Sequence, residues 1–153
     1  MKTVLWLVFW CAIFPSSIQA QSPPTLFKSG TSVHFIAYTP LQSGPSSERV
    51  LELCEHLRSE LCRVWGVGGV DRAWAPLCEI VVHPTADSYL KAVGPGAAQT
   101  RGCSLIEFVG ATVLRRRIDL RIDGDGSLSA LAHELTHVVL ADRFDGKPPA
   151  HWL

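Results

Sequence analysis

The sequence predicts a single α+β domain built on a mixed β-sheet, and three observations support this prediction. At 153 residues, the chain has the length of one domain. A hydrophobic content of 47% is typical of a globular protein and too high for a disordered one. Hydrophobic periods of the strand and helix type follow one another in the order strand, helix, strand, short helix, two strands, helix.

The charge balance limits the classes of partner. The chain has 14 basic and 14 acidic residues, so its formal net charge is zero at pH 7. Proteins that bind nucleic acids or anionic membrane surfaces usually carry a basic excess. The composition therefore predicts no nucleic-acid partner, and it leaves the oligomeric state open.

Residues 1–20 have the layout of a secretory signal peptide. Lys2 supplies a positive charge, residues 4–14 form a continuous apolar run, and Ala20 is a small residue suited to cleavage. The run is shorter than the roughly 20 residues that a membrane span needs. We therefore expect an exported protein, secreted or periplasmic, with no membrane span beyond the signal peptide. An uncleaved N-terminal anchor is the alternative.

The predicted domain covers residues 31–153 and follows a loose polar leader at residues 21–30. Its first strand is expected from Thr31 to Thr39. Three apolar residues alternate along this strand and should share one face: Val33, Phe35 and Ala37.

A long amphipathic helix is predicted next, opened by the capping serines Ser46 and Ser47. Apolar residues recur along it at helical spacing and should form one buried stripe: Val50, Cys54, Leu57, Leu61 and Val64. The charged residues on its other faces are expected to be solvated surface: Glu52, Glu55, Arg58, Glu60 and Arg63.

The middle of the chain predicts a central strand, a short helix and a hairpin. Leu77–His83 should be central, because three consecutive apolar residues suit burial on both faces of a sheet. A short helix is expected from Thr85 to Val93. Strands at Cys103–Val109 and Val113–Ile122 should form a hairpin around Gly110. The second of these alternates apolar and charged residues, so one face is expected to be solvent-exposed. Three consecutive arginines are interpreted as solvent-facing strand positions plus one edge arginine, with a basic patch as the alternative: Arg115, Arg116 and Arg117.

Four cysteines lie in the predicted domain: Cys54, Cys62, Cys78 and Cys103. On one helix, Cys54 and Cys62 would be about 12 Å apart along the axis. This separation exceeds the roughly 7 Å between Cα atoms that a disulfide tolerates. Any full pairing would therefore link the helix to Cys78 and Cys103. Four buried free thiols are the alternative.

The last predicted helix, from an N-cap at Ser127 to about Asp142, carries the pattern His-Glu-x-x-His at His133, Glu134 and His137. At 100° per residue the two histidines lie one turn apart on one face. The opposite face is an apolar stripe: Leu128, Leu131, Leu135, Val138 and Val139. Both imidazoles could then reach one Zn²⁺ ion at about 2.0–2.1 Å.

Glu134 lies about 100° around the helix from His133. This position is too displaced for easy binding of the same ion, but it suits contact with a metal-bound water. The segment from Ser127 to Asp142 contains no Lys or Arg, so we expect the histidines to lie in a cleft. The pattern predicts a zinc site with His133 and His137 as metal ligands and Glu134 as the general base.

Three segments resemble the peptidase MA-like, or gluzincin, branch of the zincin metallopeptidases: LAHELTHVV at 131–139, IDLRI at 118–122 and PPAHWL at 148–153. The resemblance implies a zincin-like mixed sheet with a long N-terminal helix, and it implies hydrolysis of peptide or protein substrates. In that family, a glutamate soon after the last of these segments is the third zinc ligand. The resemblance therefore implies a fragment that lacks the third ligand and the C-terminal lobe. The strand near Cys103–Val109 resembles the family's edge strand, which pairs with substrate.

Other readings of the site stay open. Asp142 should face away from the histidines, Asp145 falls in a turn, and His151 is the best third ligand within the chain, although the family places a non-ligand there. The metzincin pattern does not fit, since Leu140 and Arg143 replace its glycine and histidine. One alternative function is a non-catalytic zincin-like binding or scaffold domain. Another is a structural α/β domain whose histidines are core residues.

Overall fold

The computed structural model describes residues 27–41, 43–67, 73–110 and 112–144. These contain five strands in one sheet and three α-helices: β1 Phe27–Thr31, β2 Phe35–Pro40, α1 Ser47–Trp65, β3 Cys78–His83, α2 Ala86–Val93, β4 Gly102–Val109, β5 Thr112–Arg121 and α3 Leu131–Arg143. The strand order is β1-β2-β3-β5-β4. The outer pairs β1–β2 and β4–β5 are antiparallel, whereas β3 is parallel to both β2 and β5. The described chain is therefore an α+β fold with a mixed sheet, as predicted.

The strand β3 is central, and this prediction is confirmed. It lies between β2 and β5 in the sheet. Its residues Ile80, Val81 and Val82 are all buried. Strands covered on both faces are recognised by such continuous apolar runs, because neither face needs polar side chains.

Helices α1 and α3 contact each other and pack on one face of the sheet, while α2 contacts β3 and β5. The hydrophobic core includes Phe35 and Ile80 from the sheet, Val50 from α1 and Leu135 from α3. The ring of Tyr89 on α2 packs against His83, which alternates with the core residue Val82 on β3. Because neighbouring strand residues point to opposite faces, α2 covers the other face at this end of the sheet.

The N-terminal strand prediction is corrected. The chain forms two strands, Phe27–Thr31 and Phe35–Pro40, so β1 takes up part of the segment expected to be loose leader. The two strands are antiparallel partners, and the Ser32 amide donates to the Phe35 carbonyl in the turn between them. Val33 sits in this turn and is exposed, whereas Phe35 and Ala37 are fully buried. Alternation predicted a strand but did not reveal the reversal within it.

The long helix is confirmed, with Ser46 as its N-cap accepting a hydrogen bond from the Arg49 amide. Its buried face differs from the predicted stripe, and two residues show the difference most clearly. Val64 is 64% exposed, and Arg58, expected on the surface, is only 4% exposed. Arg58 is buried because it lies over Trp74, whose ring centroid is 4.7 Å from the guanidinium carbon of Arg58. A cation–π contact allows this charged residue to occupy a core-facing position.

The expected wet face of β5 is also wrong. Asp119 is 5% exposed, since Arg117 binds both of its carboxylate oxygens. Arg115 donates to Glu79 at 2.8 Å. Arg116 is buried and donates to the Pro76 carbonyl and to an α3 carboxylate. All three arginines form specific ion pairs within the fold, so they do not behave as solvent-facing strand positions.

The four cysteines of the domain are free thiols. Cys54, Cys62 and Cys78 are buried, and Cys103 is partly exposed. Burial raises the pKa of Cys54 to about 12, and burial also raises the pKa of Cys78 well above its ordinary value. The sequence was compatible with either disulfides or free thiols, and the structure has free thiols.

Several predictions concern residues that lie outside the described part of the chain. The signal peptide at residues 1–20 lies outside the described residues, as do Asp145 and His151. Within the described segments, no helix has the length and apolar character needed to cross a membrane.

Candidate metal centre

His133, Glu134 and His137 lie on a helix, α3, whose start differs from the prediction. Helix α3 begins at Leu131, with Ala130 at the N-cap position and no side-chain cap. The expected cap, Ser127, instead donates its hydroxyl to Asp123. Asp123 also accepts from the Ser129 amide and from Arg101, so this loop satisfies its polar groups locally. Such side-chain hydrogen bonds compete with helix formation and move the helix start toward the C-terminus.

The apolar stripe of α3 lies against the core, as predicted. Its residues Leu131, Leu135, Val138 and Val139 are all buried. On the other side of the helix, His133 is exposed and His137 is half-buried. The two histidines therefore differ in burial, and the cleft expected around both of them stays a prediction.

The two imidazoles face each other. The distance between their Nε2 atoms is 3.1 Å, and the rings are almost perpendicular, with centroids 4.7 Å apart. Two nitrogens bound to one tetrahedral zinc ion at about 2.0–2.1 Å would be about 3.3 Å apart. The same spacing also permits one ring to donate a hydrogen bond to the other. A single proton or a single cation can thus occupy the space between these nitrogens.

The surroundings of His137 favour its neutral form. Burial is the largest influence and lowers the pKa of His137. The carboxylate of Glu134 opposes this shift, while the charge of a protonated His133 adds to it. A neutral imidazole is the form that binds metal ions, so burial prepares this side chain for a cation.

The side chain of Glu134 contacts β4. It is largely buried, and its Oε2 accepts a hydrogen bond of 2.9 Å from Ser104 Oγ. The backbone of Gly102 packs against the same side chain. Neither partner was predicted from the sequence. The one sequence signal was a glycine directly before the predicted strand Cys103–Val109 and a serine two residues later.

The described residues include two candidate metal ligands, His133 and His137. Across residues 27–41, 43–67, 73–110 and 112–144, no group of three or more His, Cys, Asp or Glu side chains could hold a metal ion. Asp142 does face elsewhere, as predicted, and its Oδ1 accepts from Arg116 at 2.7 Å. Two imidazoles with converging nitrogens fit part of a catalytic zinc site, which usually has three protein ligands.

The strand β4 forms one edge of the described sheet, pairing with β5 and packing against α3. This arrangement places an edge strand beside Glu134. Its proposed role in binding substrate stays a prediction.

No protein-family model matches this chain, and no curated protein or solved structure is similar to it. The resemblance to the gluzincin branch therefore depends on the sequence segments that carry it. The chemistry of the site has to be inferred from its donor atoms and their distances.

Proposed function

We propose that this chain is part of an exported, zinc-dependent metallopeptidase, with His133 and His137 as metal ligands and Glu134 as the general base. One observation carries the proposal. The Nε2 atoms of His133 and His137 lie 3.1 Å apart on one helix face, and Glu134, the residue after His133, has a buried, hydrogen-bonded carboxylate. This arrangement combines two zinc ligands with a proton acceptor on one rigid element.

The two histidines would hold the metal through their Nε2 lone pairs. When bound, zinc would lower the pKa of its water toward about 7 and polarise the carbonyl of the scissile bond. Glu134 would accept a proton from the attacking water and pass it to the leaving amine. The third protein ligand is proposed to be a glutamate outside the described residues, as the family resemblance implies. With two ligands, we expect the 153-residue chain to bind zinc weakly and to have little activity.

A second candidate function is a non-catalytic zincin-like binding or scaffold domain. One observation favours it: the described residues supply only two ligands, and one of them, His133, is exposed. This candidate shares the imidazole pair but predicts no peptide hydrolysis.

Zinc titration of the full chain against a chromophoric chelator tests the metal site. We expect one zinc per chain, bound at least about 10-fold more weakly by His133→Ala and by His137→Ala, because each removes one of two ligands. The matched control is His56→Ala, which removes an exposed histidine on α1 and should leave the affinity unchanged. Equal affinity in all four proteins would disprove the proposed ligands.

The Glu134→Gln variant separates the two functions. In the natural protein, we expect this variant to keep its zinc and to lose peptide hydrolysis by roughly 100-fold or more, the usual contribution of a general base. Hydrolysis of a peptide library before and after the substitution is the measurement. Zinc binding without hydrolysis in the unsubstituted protein would favour the scaffold function.

Export is proposed from the signal-peptide layout of residues 1–20. N-terminal sequencing of protein collected from the periplasm or medium should begin at Gln21. An intact Met1 in the exported fraction would contradict cleavage and support the anchor alternative.

A further inference from the structure

The side chain of Glu134 is held by a partner from outside its own helix. Ser104 on β4 donates its hydroxyl to Glu134 Oε2 at 2.9 Å, across a sequence separation of 30 residues. A free glutamate side chain has many rotamers, and ordering it costs conformational entropy. The hydrogen bond from a packed strand selects one of these rotamers in the folded protein.

Gly102 restricts the position of the Glu134 side chain from a second side. A Cβ atom at this position would lie 2.7 Å from Glu134 Cγ and 3.1 Å from Glu134 Oε1, and 2.9 Å from Ala130 Cβ. These distances are too short for ordinary contacts, so any larger residue would displace the carboxylate or the start of α3. Gly102 and Ser104 share a face of β4, because strand residues alternate between faces.

We infer that Ser104 and Gly102 are positioning residues for Glu134. The Ser104 hydroxyl anchors Oε2, and the bare Cα of Gly102 leaves space for the side chain to lie flat against the strand. Together they fix the plane of the carboxylate and thereby the direction in which Oε1 presents its lone pairs. A general base requires this control, because proton transfer depends on the distance and angle to the water. The inference rests on the proposed function.

The test uses the full chain carrying ¹³C-carboxyl-labelled glutamate, with zinc chloride as the probe. The Glu134 resonance is assigned by its loss in Glu134→Gln and is followed by NMR as zinc is added in excess. The perturbing variants are Ser104→Ala and Gly102→Ala. Their matched controls are Ser104→Thr, which keeps the hydroxyl, and Gly96→Ala, where a Cβ would meet nothing within 4 Å. Thermal unfolding and zinc affinity are measured on each protein.

In the parent chain, we expect zinc to shift the Glu134 resonance. Ser104→Ala and Gly102→Ala should bind zinc as tightly as the parent but show less than half of this shift. The controls Ser104→Thr and Gly96→Ala should show the full shift. If Gly102→Ala does not fold, Ser104→Ala compared with Ser104→Thr decides the outcome.

Three results would overturn the inference. If Ser104→Ala keeps the full shift and loses only thermal stability, the serine is structural, and the proposed function is unaffected. If the parent binds zinc without any shift of the Glu134 resonance, both the positioning inference and the general-base assignment fail. If the parent binds no zinc at the two histidines, the proposed function fails, and the inference fails with it.

Discussion

At the scale of single residues, the buried carboxylate of Asp119 binds two side chains outside the candidate site. Arg117 donates to both of its oxygens at 2.6 and 2.7 Å, and His83 Nε2 donates at 2.7 Å. Burial by itself raises the pKa of Asp119, but the hydrogen bonds and charges of Arg117 and His83 outweigh it, so the pKa is lowered. This unit of Asp119, Arg117 and His83 ties β3 to β5 on the sheet face opposite helix α3.

The substitution Asp119→Asn should destabilise the protein by about 1.5–3 kcal/mol, because Arg117 loses its charged hydrogen-bond acceptors and keeps only the more distant carboxylate of Glu79, at 3.9 Å. Urea unfolding followed by circular dichroism measures this loss. The control is Asp87→Asn, which breaks the exposed Asp87–Lys91 pair and should leave the unfolding free energy close to that of the parent. Equal effects of the two substitutions would show that the Asp119 unit is not a stabilising one.

In the candidate site, some side-chain positions could be predicted from the sequence and others could not. Helical spacing alone predicted that His133 and His137 would share one face, and their nitrogens do converge. The same spacing predicted the apolar stripe beneath them. Ser104 could not be predicted as a partner of Glu134, because their contact depends on how β4 packs against α3. Local periodicity contains no information about that packing.

At the scale of elements, α1 has the most complete local signals. Ser46 caps its N-terminus, and Gly66 ends it with a positive φ of 58°. A side chain with a Cβ is strained in this conformation, so a glycine is the natural residue for the helix end. The cap is a local signal, and this explains why the start of α1 was predicted closely.

Replacing the cap by Ser46→Ala should destabilise the protein by about 1 kcal/mol, because the Arg49 amide loses its acceptor. Thermal or urea unfolding measures the change. The matched control is Ser59→Ala, at an exposed position within α1, where the higher helix propensity of alanine should keep or slightly raise stability. A cap variant as stable as the Ser59 control would mean that the Ser46 hydrogen bond contributes nothing.

The element-scale errors have a common cause. The predictions placed one strand where β1 and β2 form two, and they began α3 at Ser127 rather than after it. In both places, backbone and side-chain hydrogen bonds of a turn decide where the chain changes direction. Hydrophobic periodicity is a pattern over several residues. It therefore predicts the presence of a helix or strand better than it predicts where that helix or strand begins and ends.

At the scale of the whole molecule, buried ionisable groups should limit stability at both ends of the pH range. Asp119 and Asp123 have lowered pKa values, the latter about 2. A carboxyl with a lowered folded-state pKa stabilises the fold above its unfolded value and loses this contribution as pH falls through the folded value. Cys54 has the opposite pH dependence, since burial raises its pKa from 9.0 to about 12. The contribution of this thiol to the free energy of unfolding is present below pH 9.0 and is lost as pH rises toward 12.

We therefore expect the unfolding free energy to be highest between about pH 4 and about pH 9. It should fall below about pH 4 because carboxylates are protonated. It should fall above about pH 9 because thiols of the unfolded chain ionise. Urea unfolding at a series of pH values measures both limbs. Asp119→Asn should flatten the acid limb and Cys54→Ala the alkaline limb, each leaving the other unchanged. An alkaline limb that is the same in Cys54→Ala would contradict the role of this thiol.

The sequence by itself determined the features that depend on local order. The α+β class, the central strand, the long helix and the helical face shared by His133 and His137 all follow from periods and caps within short segments. Only the tertiary structure decided which distant residues meet. It placed Ser104 against Glu134, Trp74 against Arg58 and Asp119 between His83 and Arg117. These contacts depend on strand register and on the packing of helices against the sheet, which form only when the whole core is assembled.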